Sequence, residues 1–407
     1  MGGKGDPLSR KRGVECKDDL KEKSSIQGSV SIKNIIVLFI VFSMILALFQ
    51  VSIMNFIDGH VGLSGIHPRT AEYSIERSID IRNRGSSSMD YNLTLATPSN
   101  ISENDIQYIE NIDFNLEPEF YERYGTEWMS WNSGLEPNRE DSVRVSYDVK
   151  TSSVDWDYSG PDSGTIEDIP EELIERYNRN QWQLNEDRND DGTDDWMIEP
   201  DNPKIETLAE EIVEGEDNIY DKSRAINRWI DENIEYELGD PGLPKHAAWV
   251  LESRAGDCDE QSFLYASLSR AVGIPAWMEL GALYNRRENR WGKHAWIRTI
   301  FVDHEGITEW VNIDPVNDQF YFRDAHRFTT WVDEAGNDHL EDYYYYLYWR
   351  GGLIDLESNF ESLDMKTQGT MIGIASQSSG YELNVGVPVV ITSILIYSVV
   401  KKGKEVA

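Results

Sequence analysis

The sequence predicts an α+β protein: a β-sandwich followed by a mixed helix-and-strand domain, with an apolar run of membrane length towards each end. Three observations carry this. Apolar and polar residues alternate with period two in the first half of the outward part. A helical period takes over at Lys204, and strands resume after Pro275. Uncharged apolar runs lie at 35–57 and 383–400.

Taken in order, residues 1–34 are a Lys/Arg-rich polar tail. The run Ile35 to Ile57 exceeds the ~20 residues that cross a bilayer and is longer than the ~7–15-residue core of a cleaved signal. The run Leu383 to Val400 is interrupted by Asn384 and Pro388, and Lys401, Lys402 and Lys404 follow it in the tail 401–407. Basic flanks on both runs predict two transmembrane helices with both termini cytoplasmic. Residues 58–382 then face outward, at the cell membrane, with the lipid bilayer as an obligatory partner.

Residues 70–158 read as the sandwich. Tyr73, Ile75, Ile79 and Ile81 form one apolar row, broken at Arg77. Met89, Tyr91, Leu93 and Leu95 form a second, and Val143, Val145, Tyr147 and Val149 a third. Residues 159–203 read as a linker holding an acidic loop. Asp187, Asn189, Asp191, Gly192 and Asp195 occupy positions one, three, five, six and nine of a calcium-binding loop, but position twelve is Ile198, and Glu199 comes one residue late. A weak Ca²⁺ site and a solvated acidic loop both fit. From Lys204, Ile205, Leu208, Ala209, Ile212 and Val213 share a helix face that Gly215 ends, and Asn218 caps a second helix carrying Ile226, Trp229 and Ile230. The mixed domain is expected over 204–350, with a linker over 351–382.

A net charge of −35 over 407 residues excludes nucleic acid as a partner, because a phosphate backbone needs clustered cations. The two cysteines, Cys16 and Cys258, fall on opposite sides of the expected membrane, so no disulfide is expected. Cys258 follows Gly256-Asp257 and precedes Asp259-Glu260. Asp257 and Glu260 make a capping box, Leu264, Leu268, Ala271 and Val272 a buried face, and Gly273-Ile274-Pro275 a stop. Cys258 therefore starts a helix, where the dipole and free N–H groups favour a thiolate and an oxyanion. His294 opens a strand reaching Val302, and Asp314 ends the next strand before Pro315. Cys258 as nucleophile, His294 as base and Asp314 as its orienter make an activated thiol. His246, His304, His326 and His339 share no zinc-ligand spacing. The run Tyr343 to Trp349 reads first as packed strand or membrane-proximal surface, with a substrate-cleft wall as the alternative.

The runs Ser253 to Glu260, Arg270 to Ala276, Gly292 to Trp296 and Asn312 to Asp318 together resemble the transglutaminase-like superfamily. The resemblance covers about 204–330. It implies a papain-like core and thiol acyl chemistry on peptide-like amides, with Cys258, His294 and Asp314 in those three roles and no required cofactor. Trp249 and Gln261 are the candidate oxyanion donors. The expected activity is that of a peptidase, an amidase or an acyltransferase working through a thioester on a protein or peptide substrate. A non-catalytic surface scaffold or adhesion protein using the same fold is the rival.

Overall fold

The computed structural model describes residues 66–372, apart from 185–194, 239–242, 287, 334–337 and 370. Both apolar runs and both tails lie outside these residues, as do Asp187, Asn189, Asp191 and Gly192 of the acidic loop. Among the described residues, no helix is long and apolar enough to cross a membrane.

After a two-residue strand at Ile66–His67, six longer strands follow: β1 (Thr70–Asn83), β2 (Met89–Ala96), β3 (Gln107–Phe114), β4 (Glu119–Arg123), β5 (Thr126–Leu135) and β6 (Glu140–Ser152). Every second residue of β1 points inward, and Ile75, Ile79 and Ile81 are fully buried. Arg77 keeps this register. It is not a break in the row but an arginine turned into it, 5% exposed. Ile75, Met89, Leu93, Val143, Val145 and Tyr147 of both sheets form one core.

The sandwich is completed from far along the chain. Two strands, β14 (Leu347–Gly351) and β15 (Ile354–Gln368), give four-stranded sheets in the orders β14-β2-β5-β4 and β15-β1-β6-β3. The linker expected at 351–382 is thereby corrected over 354–368. Its acidic residues Asp355, Glu357, Glu361 and Asp364 are exposed, whereas Phe360 is buried. A charged outer row is usual on an edge strand, and it conceals the strand from a composition reading. The linker expected at 159–203 is folded too. It holds α1 (Glu171–Tyr177) and the pair β7 (Gln181–Gln183) and β8 (Trp196–Ile198). Trp182, Met197 and Ile198 are buried in the core of the mixed domain, which orders the segment.

The mixed domain follows its periodicity closely. Helix α2 (Pro203–Ile212) is capped by Asn202, and α3 (Ile219–Asn233) by Asn218, whose Oδ1 accepts the Asp221 N–H at 2.8 Å. Next come α4 (Ala247–Ser253) and α5 (Cys258–Ala271), then β9 (Ala276–Asn285), β10 (Arg290–Val302), β11 (Thr308–Asp314), β12 (Gln319–Phe320) and β13 (Arg327–Val332). These strands form an antiparallel sheet in the order β12-β11-β10-β9-β13. Helix α5 packs against β9 and β10, with α2, α3 and α4 around it. Ala282, Trp291 and Phe328 of the sheet join the sandwich core, so sheet and sandwich share one hydrophobic seam. Helix α6 (Leu340–Tyr344) leads back into the sandwich.

Candidate active site

Helix α5 begins where Asp257 takes an extended conformation and turns its carboxylate onto the first-turn amides. Asp257 Oδ1 accepts the N–H groups of Asp259 (3.2 Å) and Glu260 (3.4 Å), and Glu260 Oε2 accepts the Asp257 N–H (3.1 Å). This is the capping box expected from sequence, and it sets Cys258 as the first helical residue. Among the described residues, no acceptor takes the Cys258 N–H. The thiol is half-buried, and its S–H faces Asp259 Oδ1 at 3.5 Å.

Strands β10 and β11 supply the other two residues. They pair Ile297 with Ile313, which brings His294 and Asp314 to the same end of the sheet. His294 is buried, with Nε2 2.7 Å from Asp314 Oδ2, so Nδ1 is left for proton transfer. Asp314 is held by more than His294. It accepts from Arg327 Nη2, from Asn317 Nδ2 (2.7 Å) and from the Asn317 N–H (3.2 Å). Burial alone would raise its pKa, but the charges of His294 and Arg327 outweigh burial and hold the carboxyl well below the usual range. Asn317 lies within the Asn312–Asp318 run and was findable there. Arg327 reaches Asp314 from β13, and no local pattern marks it.

Beneath His294 lies Trp296, stacked at 5.9 Å between centroids. Arg323 and Arg327 sit over the Trp296 ring at 5.3 and 4.9 Å. Arg323 and Arg298 pair with the buried Glu279 at 2.8 and 2.6 Å, and Asn312 donates to the same carboxylate at 3.0 Å. This polar layer fixes β9, β10 and β11 side by side, and with them the His294–Asp314 geometry.

Cys258 and His294 line one cleft of about 880 Å³. Its walls come from both parts of the molecule: Tyr236 and Leu243 before α5, Tyr343 to Leu347 and Trp349, and Ile354, Leu356 and Phe360 on β15. The aromatic run is thus both strand and cleft wall, since residues 347–351 form β14.

The thiol differs from its sequence expectation. Burial pushes the Cys258 pKa well above its ordinary value, and Asp259 and Asp257 push it further, against the pull of the Ala295 N–H. The helix start is present, but the flanking carboxylates and burial outweigh it. Asp259 is itself pushed up to about 7, first by burial and then by Asp257.

Neither candidate oxyanion donor faces the cleft. Gln261 is buried and its Nε2 donates to the Gly256 carbonyl at 3.0 Å. Trp249 is 39% exposed on α4, with Lys245 Nζ 5.6 Å from its ring, and it does not line the cleft. Asp195 is buried beside Glu199 and His246, with ligand atoms within 4.8 Å of one another. Glu199, the residue one place late in the loop pattern, faces His246 Nδ1 at 2.8 Å and accepts the Ala248 N–H at 2.7 Å. The histidine spacing had pointed away from any such grouping.

Residues 206–315 match the family model of the transglutaminase-like superfamily. The uncharacterized protein YebA of Bacillus subtilis (strain 168) is 26% identical over 145 residues, 30% of this chain; this chain spans 19% of its length. A crystal structure of a candidate cysteine protease from Cytophaga hutchinsonii superposes with a TM-score of 0.52 at 17% identity, covering 76% of this chain and 96% of that one. At that identity the likeness concerns the fold. The periplasmic domain of TgpA from Pseudomonas aeruginosa is 16% identical over 62% of this chain and 93% of its own, with a TM-score of 0.28. The motif order, the helix–sheet core and the family match agree: the chain carries a transglutaminase-like domain.

Proposed function

We propose that this chain is a membrane-anchored cysteine enzyme, facing away from the cytoplasm, that opens peptide-like amide bonds through a thioester on Cys258. The observation that supports it best is one cleft lined by Cys258 and by His294, with the imidazole held to Asp314 at 2.7 Å. Burial, then the carboxylates of Asp259 and Asp257, push the thiol pKa up, which favours S–H as the form that enters the reaction. Sulfur attacks the carbonyl carbon as His294 Nδ1 takes the thiol proton. Asp314, kept ionised, stabilises the imidazolium. The carbonyl oxygen becomes an oxyanion facing the Cys258 N–H at the start of α5. Collapse breaks the C–N bond, and His294 returns its proton to the departing amine. Water then adds to the thioester with His294 as base, releasing the acid and restoring the thiol. An amine entering instead of water would make the protein a transferase. Hydrolysis is favoured because water needs no pocket that strips a proton from an ammonium ion.

The full chain is incubated with glutamine-containing and other peptides plus a labelled primary amine. Release of free acid in excess of amine incorporation, both lost in Cys258→Ala, is the expected result. Dominant incorporation makes it a transferase. Absence of both products with an unreactive Cys258 leaves the non-catalytic scaffold or adhesion protein.

The anchor rests on the runs 35–57 and 383–400 and their basic flanks. Protease added to intact cells is expected to spare tags at both termini; cleavage of a tag after Ala407 removes the second span. Weak Ca²⁺ binding through Asp187, Asn189, Asp191 and Asp195 would serve the scaffold and not the chemistry. Calorimetry without heat at millimolar Ca²⁺ eliminates it.

A further inference from the structure

Five arginines are buried among the described residues: Arg77, Arg270, Arg298, Arg323 and Arg327. Four of them hold oxygen atoms. Arg270 donates to the Ala276 and Arg179 carbonyls and to Gln181, Arg298 and Arg323 hold Glu279, and Arg327 holds Asp314 and Gln319. Among the described residues, Arg77 has no oxygen partner. Its Nε is buried without an acceptor, and what flanks its guanidinium is aromatic: Tyr346 at 5.4 Å and Phe360 at 5.3 Å from Cζ to ring centroid. Aromatic rings compensate charge but accept no in-plane N–H, so a buried guanidinium left this way is incomplete.

Arg77 is also placed to be completed. It comes from β1 of the sandwich, yet it lines the cleft that contains Cys258 and His294. On the neighbouring strand β15, Ser358 lines the same cleft, two residues from the register partner of Arg77, and its Oγ likewise has no partner. Lys293, next to His294 in sequence, stands exposed in the cleft wall and feels the charges of both Arg77 and Asp259. A planar guanidinium, a hydroxyl and an ammonium are the groups that recognise a carboxylate. Asp257 and Asp259 line the cleft beside the thiol, Lys293 lines it next to His294, and Arg77 enters it from the sandwich.

We propose that Arg77, with Ser358 and Lys293, forms a carboxylate-binding subsite that lets the β-sandwich select peptides carrying an anionic group beyond the scissile amide. The carboxylate is either the C-terminal α-carboxylate of the peptide or an Asp or Glu side chain. The subsite rests on the enzyme reading for its purpose, but its binding is measured without turnover.

The full chain bearing Cys258→Ala is titrated by calorimetry with three N-acetylated peptides: a free C-terminal acid, its C-terminal amide, and the amide with a Glu side chain. One acid form is expected to bind about tenfold more tightly than the neutral amide, the size of a charge-assisted hydrogen-bonded pair, and which one identifies the carboxylate. Arg77→Met is expected to bring this preference below about twofold, and Arg77→Lys to keep part of it. Ser358→Asp, which supplies the missing carboxylate from within, is expected to abolish the preference and raise the melting temperature. Equal affinity for all three peptides overturns the subsite, as does a preference that survives Arg77→Met. Should Arg77→Met not fold, a preference that survives Ser358→Asp overturns it equally. A carboxylate preference found alongside an unreactive Cys258 leaves the subsite standing and removes the enzyme reading instead.

Discussion

Cys258 shows two opposing effects at one residue. Its position at the start of α5 lowers a thiol pKa, while burial and the carboxylates of Asp259 and Asp257 raise it, and the raising effects win. Iodoacetamide labelling of Cys258 is therefore expected to rise only at alkaline pH, above the ordinary thiol value of ~8.5, and to move to lower pH in Asp259→Asn. A wild-type profile centred below that value would contradict the balance described here. Asp259 also carries a stability signature. Its folded pKa of about 7 lies above the ordinary 3.8, so its protonated form is favoured by folding. The contribution is fully present below about pH 4 and is lost as pH rises through 7. Asp259→Asn should accordingly raise the melting temperature at pH 8 relative to wild type more than it does at pH 4. An equal change at both pH values would show that the carboxyl titrates normally.

Among the elements, β9 carries the tightest constraint. Its pairing with β13 shifts register between Leu280 and Gly281, and both residues line the cleft. A Cβ at position 281 would lie 1.9 Å from the Phe328 carbonyl oxygen, so β13 passes directly over a residue without a side chain. Gly281→Ala is expected to cost about 1–3 kcal/mol by forcing the two strands apart. Urea unfolding measures this, and an unchanged midpoint would mean that the register shift absorbs the methyl group. The capping residues Asn202, Asn218 and Asp257 were legible because an N-cap is a local device, made within three residues of the helix it starts. Strand β15 was not legible. Its outward charges dominate its composition, and its pairing partner β1 lies hundreds of residues earlier in the chain.

At the scale of the molecule, the chain returns to where it began. Residues 347–368 leave the mixed domain and close both sheets of the sandwich, so the cleft is built between two parts that neither could enclose alone. Ending the chain after Arg350 would uncover the long edge of β1 and remove Phe360 from the sandwich core. Such a chain is expected to aggregate, because an unpaired apolar strand edge templates association. Gel filtration against the full chain tests this, and a monomeric truncated protein of unchanged melting temperature would show that β15 is dispensable.

The sequence by itself determined the two kinds of domain, the helix that starts at Cys258, the strands that carry His294 and Asp314, and the turns that end each. These are matters of period, capping and proline, all decided within a few residues. The tertiary structure alone decided that Arg327 shares Asp314 with His294, that burial raises the thiol pKa at a helix start, and that β15 completes the sandwich. It also decided that Arg77 is no lapse in an apolar row. Each of these depends on burial, charges or strand edges brought together from distant positions, and in a protein interior such neighbours set the energy of a buried charge.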